Sequence, residues 1–251
     1  MKKVKLITLL LLLPLAGFAG SLIQKAAEKN VEVEGEELHY RKTVEVETVL
    51  PGEFNFDAYT GTLVLKAHDL PSAIFTIEYY EYEEDDVTLR IDEKGGLFLE
   101  SRGNHSSAFG SLHALLPRSV SMELTIGAGD IEVLGFEGGN SIRLTSGVGD
   151  IRIQKVKGYR DLRAEIGMGD TRLGPASDIE YILIQSGMGS IKLKNVQAID
   201  TELQSGMGSI RLIDCKLESV QCETGMGSIR LMNTEYEDGD FDTGMGSVKG
   251  L

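Results

Sequence analysis

Six cations, Arg152, Arg172, Lys192, Arg211, Arg230 and Lys249, recur along the second half of the chain at intervals of 20, 20, 19, 19 and 19 residues. Brought into one file, they would make a positive stripe able to grip an anionic polymer such as an acidic polysaccharide. Asp130, Asp150 and Asp170 share the period. As a neighbouring acidic column they could neutralise the stripe as a solvated ladder. Stacked carboxylates also suit Ca²⁺ or, in pairs, glycoside cleavage. The nine-residue calcium-solenoid repeat is absent, and no long insertion builds a cleft, so capping of turn backbone fits them better. Met168, Met188, Met207, Met226 and Met245 form a further periodic set. Thioethers suit Cu(I), whereas Ala128 and Val148 at the equivalent positions favour flexible packing at a corner. Cys215 and Cys222 could be bridged or remain two buried thiols. His39, His68, His105 and His113 fit no metal or triad spacing, and no nucleophile elbow or phosphate loop occurs. No catalytic residue, metal site or cofactor is assigned.

The elements that must position these residues follow from one motif. Gly-x-Gly-Asp/Ser starts at Gly127, Gly147, Gly167, Gly187, Gly206, Gly225 and Gly244, taking up fourteen of the thirty glycines. After each motif apolar and polar residues alternate, as in Ile210-Arg211-Leu212, the signature of a half-buried strand. A turn marked by Asn195, Asp214 or Asn233 follows, then a second alternating run. Two strands per period of about twenty residues predict an all-β chain folded as a parallel β-solenoid, its coils ~4.8 Å apart. Three apolar columns should form the core. One runs from Ile131 to Val248 and is interrupted by Thr171, one from Val133 to Leu231, and one from Leu124 to Phe241. The motif glycines are expected at corners, where φ is positive.

The preceding segment is less regular. Thr60-Gly61-Thr62-Leu63-Val64-Leu65 echoes the motif, and alternation predicts strands at 44–49, 73–82, 87–91 and 97–100. Residues 93–96 read as a hairpin turn between the last two. The acidic-aromatic run 78–86 reads as a solvated edge strand, with calcium binding as its alternative. The domain plan is then a signal peptide at 1–19, a leader at 20–39 read as a short helix or a disordered stretch, and a solenoid over 40–251, irregular to 120 and regular from 121.

Composition narrows the class. With 41% hydrophobic residues, two cysteines and no collagen period, disorder, a disulfide scaffold and a triple helix are excluded. A basic start, an apolar run from Leu6 to Phe18, and small residues Gly17 and Ala19 predict an export signal, with no second apolar run to span a membrane. Losing Lys2, Lys3 and Lys5 would take the net charge from −14 to −17. That disfavours nucleic acid as a partner.

With its signal peptide, TGTL strand, the His113-Ala114-Leu115-Leu116-Pro117 strand end and the GxGD/S ladder, the chain resembles the bacterial "putative adhesin" domain family of exported β-solenoids. The resemblance covers residues 40–251. It implies adhesion or display in the periplasm, at the cell surface or outside the cell, with no shared catalytic residues. This chain departs from the pattern with Ser190, Ser209, Ser228 and Ser247 in place of aspartate, and with its run of methionines. The expected function is non-catalytic binding along a flat solenoid face. One rival is an envelope scaffold assembling with itself through a final coil, Gly244 to Leu251, that lacks a polar cap. The other is a polysaccharide-acting enzyme.

Overall fold

The computed structural model describes residues 23–27, 31–33, 36–102 and 107–250. The signal peptide expected at 1–19 lies outside them, as does His105. Every regular element among the described residues is a strand. The short helix considered for 20–39 is therefore corrected where that segment is described. Ile23–Ala27 pairs antiparallel with Tyr40–Thr48, and Val31–Val33 pairs with Glu36–Leu38.

The repeats form the predicted parallel solenoid. Each coil contributes one short strand to a first sheet, for example Ile151–Gln154, Ile191–Lys194 and Ile210–Ile213. It contributes one longer strand to a second sheet, lengthening from Ser141–Val148 to Ala176–Met188 and Val196–Met207. The register joins residues 20 apart in the early coils, such as Ile131 with Ile151, and 19 apart in the later ones, such as Ile191 with Ile210. Equivalent residues therefore stack. Leu124, Leu144, Ala164, Ile184, Leu203, Cys222 and Phe241 follow one another as neighbours across the second sheet. All but Phe241 are buried. A further buried column, Val156, Ala176, Val196 and Cys215, lines the bend after the short strand. That bend turns on left-handed residues, Lys155, Asn195, Asp214 and Asn233, all with φ between 49° and 56°. Asparagine and aspartate tolerate this conformation better than branched residues do.

The motif glycines act differently from the expectation. Gly129, Gly149, Gly169 and Gly189, the second glycines of the first four motifs, take positive φ at the corner, whereas Gly208, Gly227 and Gly246 of the last three do not. Gly127, Gly147, Gly167, Gly187, Gly206, Gly225 and Gly244 do not. They face outward at the ends of the long strands, where backbones pack closely: a Cβ at Gly206 would lie 2.6 Å from the Gly187 carbonyl oxygen. Steric stacking, not backbone handedness, demands glycine there.

The N-terminal part caps the solenoid with antiparallel structure. Ser107–Pro117 pairs parallel with Thr62–His68 on one side and antiparallel with Ala73–Glu81 on the other. Tyr40–Thr48 then adds beyond Ala73–Glu81. The 78–86 segment is thus corrected: Ala73–Glu81 is flanked on both sides, so it is no edge strand. Tyr79, Tyr80 and Glu81 are buried. Glu81 meets buried Lys42 at 2.6 Å and accepts the backbone N–H groups of Asp85 and Val87. Burial works against the charge on Lys42, but its bonds to Asp85 and Glu81 outweigh this and hold its pKa above the ordinary lysine value.

Candidate binding faces

The short strands set the cations. Residues 152, 172, 192, 211, 230 and 249 are paired in sequence across the first sheet, with Glu132 opposite Arg152 as the preceding member of the file. They alternate with the buried columns, so they point outward. Five steps spread the six cations over ~24 Å.

In the early coils the corner carboxylates hold the next coil. Asp130 Oδ1 accepts the Asp150 N–H at 2.7 Å, Asp150 Oδ1 that of Asp170 at 2.9 Å, and Asp170 Oδ1 that of Ser190 at 2.9 Å. This is the backbone-capping role. The Asp170 N–H, then burial, which opposes it, and the Arg172 guanidinium shape the Asp150 carboxyl, and the net effect lowers its pKa. Arg172 donates to Asp150 and Asp170, both at 2.9 Å, and so is neutralised locally. From the fourth motif onward serine replaces aspartate at this corner. Among the described residues, Lys192, Arg211, Arg230 and Lys249 have no ion-pair partner within 4.0 Å. The solvated-ladder account therefore describes Arg172 alone: Arg152, between Glu132 and Arg172 in the file, has no ion pair within 4.0 Å among the described residues, and the later coils carry a bare cationic file. Arg211, Arg230 and Lys249 are exposed, and Lys192 is half-buried. Neighbouring like charges ~4.8 Å apart in water repel by about 1 kcal/mol, a cost that a bound polyanion would relieve.

The second sheet offers two other surfaces. A shallow groove of about 670 Å³ runs over the exposed glycines 167, 187, 206 and 225 beside an outward file of Glu165, Gln185, Gln204 and Glu223. Nearer the cap, a groove of about 1160 Å³ is lined by Tyr59, Phe98 and Phe109. Tyr59 is 89% exposed, and the Arg90 guanidinium lies 5.0 Å from the Phe98 ring centre. The carboxylates around this groove, Glu53, Asp57 and Glu123, stand exposed on an open strand face. Sequence reasoning missed it, because aromatic residues from strands far apart in the chain follow no period.

The methionines are not buried at their corner. Their exposure runs from 42% at Met188 to 68% at Met245. Both cysteines are buried and unbridged, with the Cys215 thiol directed at the Ile213 carbonyl, 3.3 Å away. Burial pushes the Cys222 thiol up to about 12 and raises Cys215 as well. His68 bonds the Ser72 carbonyl at 2.6 Å and so serves its own turn.

Residues 156–249 match the family model described as Toastrack DUF4097. A putative adhesin from Bacteroides fragilis of known structure superposes with a TM-score of 0.54, at 14% identity over 83% of this chain and 97% of that one. A putative adhesin from Parabacteroides merdae gives 0.49, at 11% identity over 87% and 99%. A putative cell adhesion protein from Clostridium sporogenes gives 0.38, at 13% identity over 82% and 99%. At these identities the likeness is one of fold. No curated protein matches the sequence.

Proposed function

Starting from a chain whose coils resemble the bacterial putative adhesin domain family, we propose that it is an exported, non-catalytic binding module that holds a linear polyanion, such as an acidic polysaccharide of the cell envelope, against its first sheet. One observation carries this reading. Past the aspartate-to-serine change Lys192, Arg211, Arg230 and Lys249 stand in register, and among the described residues none has an ion pair within 4.0 Å. A flat strand face presents these charges at a constant ~4.8 Å interval, which suits an extended chain better than a compact solute. The Bacteroides fragilis protein of similar fold is a putative adhesin, which agrees with a surface role, and the family resemblance implies no catalytic residues. Association at such a face is steered by charge and weakens with salt.

The test is retention of the folded chain on an immobilised acidic polysaccharide under rising sodium chloride. Lys192→Gln, Arg211→Gln and Arg230→Gln together should move elution to markedly lower salt. Arg172→Gln, at the cation held by Asp150 and Asp170, should move it little. Equal shifts from both variants would discard the later-coil face in favour of general charge.

A further inference from the structure

Met168, Met188, Met207, Met226 and Met245 are direct partners across the second sheet, each opposite the next. They form one unbroken file on the corner that joins the long strand to the following short one. Glycines flank every one of them in sequence, so no adjacent side chain shields the thioethers. Val148 holds the same position one coil earlier with an exposure of 44%, close to the 42–44% of Met168, Met188, Met207 and Met226. Bulk alone is thus satisfied by valine, and packing does not call for five sulfurs in succession.

The geometry points to a chemistry that valine lacks. Adjacent coils are ~4.8 Å apart. Two metal–sulfur bonds of about 2.3 Å each span nearly the same distance, so neighbouring thioethers can clasp one ion between them with little strain. Thioethers are neutral, soft donors that select a soft cation over hard or borderline ones. Among the described residues no three His, Cys, Asp or Glu side chains converge to offer such ions a rival cage. We propose that the methionine file binds Cu(I), with Ag(I) as an equivalent probe, each ion held between thioethers of adjacent coils. Five thioethers taken two at a time hold at most two ions. The site is independent of the cationic file, which lies on the other sheet.

The probe is Cu(I) itself, presented anaerobically to the whole chain in competition with a weak chromophoric chelator. The wild-type chain should withdraw one to two equivalents. Met188→Leu, Met207→Leu and Met226→Leu together should weaken this at least tenfold, since leucine keeps the bulk and removes the donor. Cys215→Val with Cys222→Ala, matching Val196 and Ala164 at the stacked positions, should leave it unchanged. Ag(I) titration followed through methionine methyl resonances gives a second reading on the unmutated chain. The five file signals should shift, and that of buried Met122 should not. Failure of the wild-type chain to take Cu(I), retention by the leucine variant, or loss in the cysteine-free variant would each overturn the proposal.

Discussion

Thr171 shows how a single atom can break a column. It sits between Ile151 and Ile191 in the apolar file, fully buried, and its Oγ1 has no hydrogen-bond partner. An unsatisfied buried hydroxyl costs about 1–3 kcal/mol, and valine has nearly the same shape. Thr171→Val should therefore stabilise the protein by about 1 kcal/mol, read as a higher denaturant midpoint with unchanged slope. The cysteines supply a pH dependence. The Cys222 thiol ionises near 12 when folded, whereas an exposed thiol does so near 9. Above pH 9 the unfolded chain releases a proton that the folded chain keeps, so stability falls as pH rises toward 12. The slope approaches about 1.4 kcal/mol per pH unit for this one group. Replacing Cys222 with alanine should flatten the alkaline limb of a stability profile, even though the smaller side chain lowers stability at neutral pH. Each of these residues was readable as a column position, because the period places it. The Lys42–Glu81 pair was not, since it joins two antiparallel strands through no repeat.

Each coil is a strand, a left-handed bend, a second strand and a glycine corner, and its parts are fixed by contact with the coil before. Ser146, Ser186, Ser205 and Thr224 are buried in the second sheet, and each hydroxyl donates to a corner glycine carbonyl of the preceding coil at 2.9–3.4 Å. Together with the outward glycines this ties each coil to the last. Gly206→Ala would press a Cβ against the Gly187 carbonyl and should cost about 2 kcal/mol, comparable to overpacking a core. Gly138→Ala meets no atom within 4 Å but is held at φ 77°, so its cost should be the smaller one of backbone strain alone. Denaturant melts of the two variants test that order. Motif and strand alternation made the stacking readable. They could not show which glycine of each pair turned the corner, because that depends on how closely neighbouring backbones approach.

Taken whole, the molecule is built along one axis, with coils touching chiefly their immediate neighbours. Stability in such an array is a sum of local and nearest-neighbour contributions, so it need not be uniform. Asp161–Met168 alternates buried and outward residues, whereas Glu235–Met245 has no fully buried side chain and carries Glu235, Glu237, Asp238, Asp240 and Asp242. Amide hydrogens of the later strand should exchange much faster than those of the earlier one. Parallel architecture was plain from the repeat. The antiparallel cap and its aromatic groove were not, since their strand partners are distant in sequence and irregular in spacing.

The constant register has a further consequence: the molecule is graduated like a ruler. Excising residues 208–226 joins Met207 to Gly227 and restores the Gly-Met-Gly-Ser motif without a seam. The shortened chain should fold, lose one cation of the file and one thioether, and let go of a charged polymer at correspondingly lower salt. Inserting a copy of the same nineteen residues should do the reverse. Reach and grip would then change in discrete increments, one rung at a time, with every other rung left as it was.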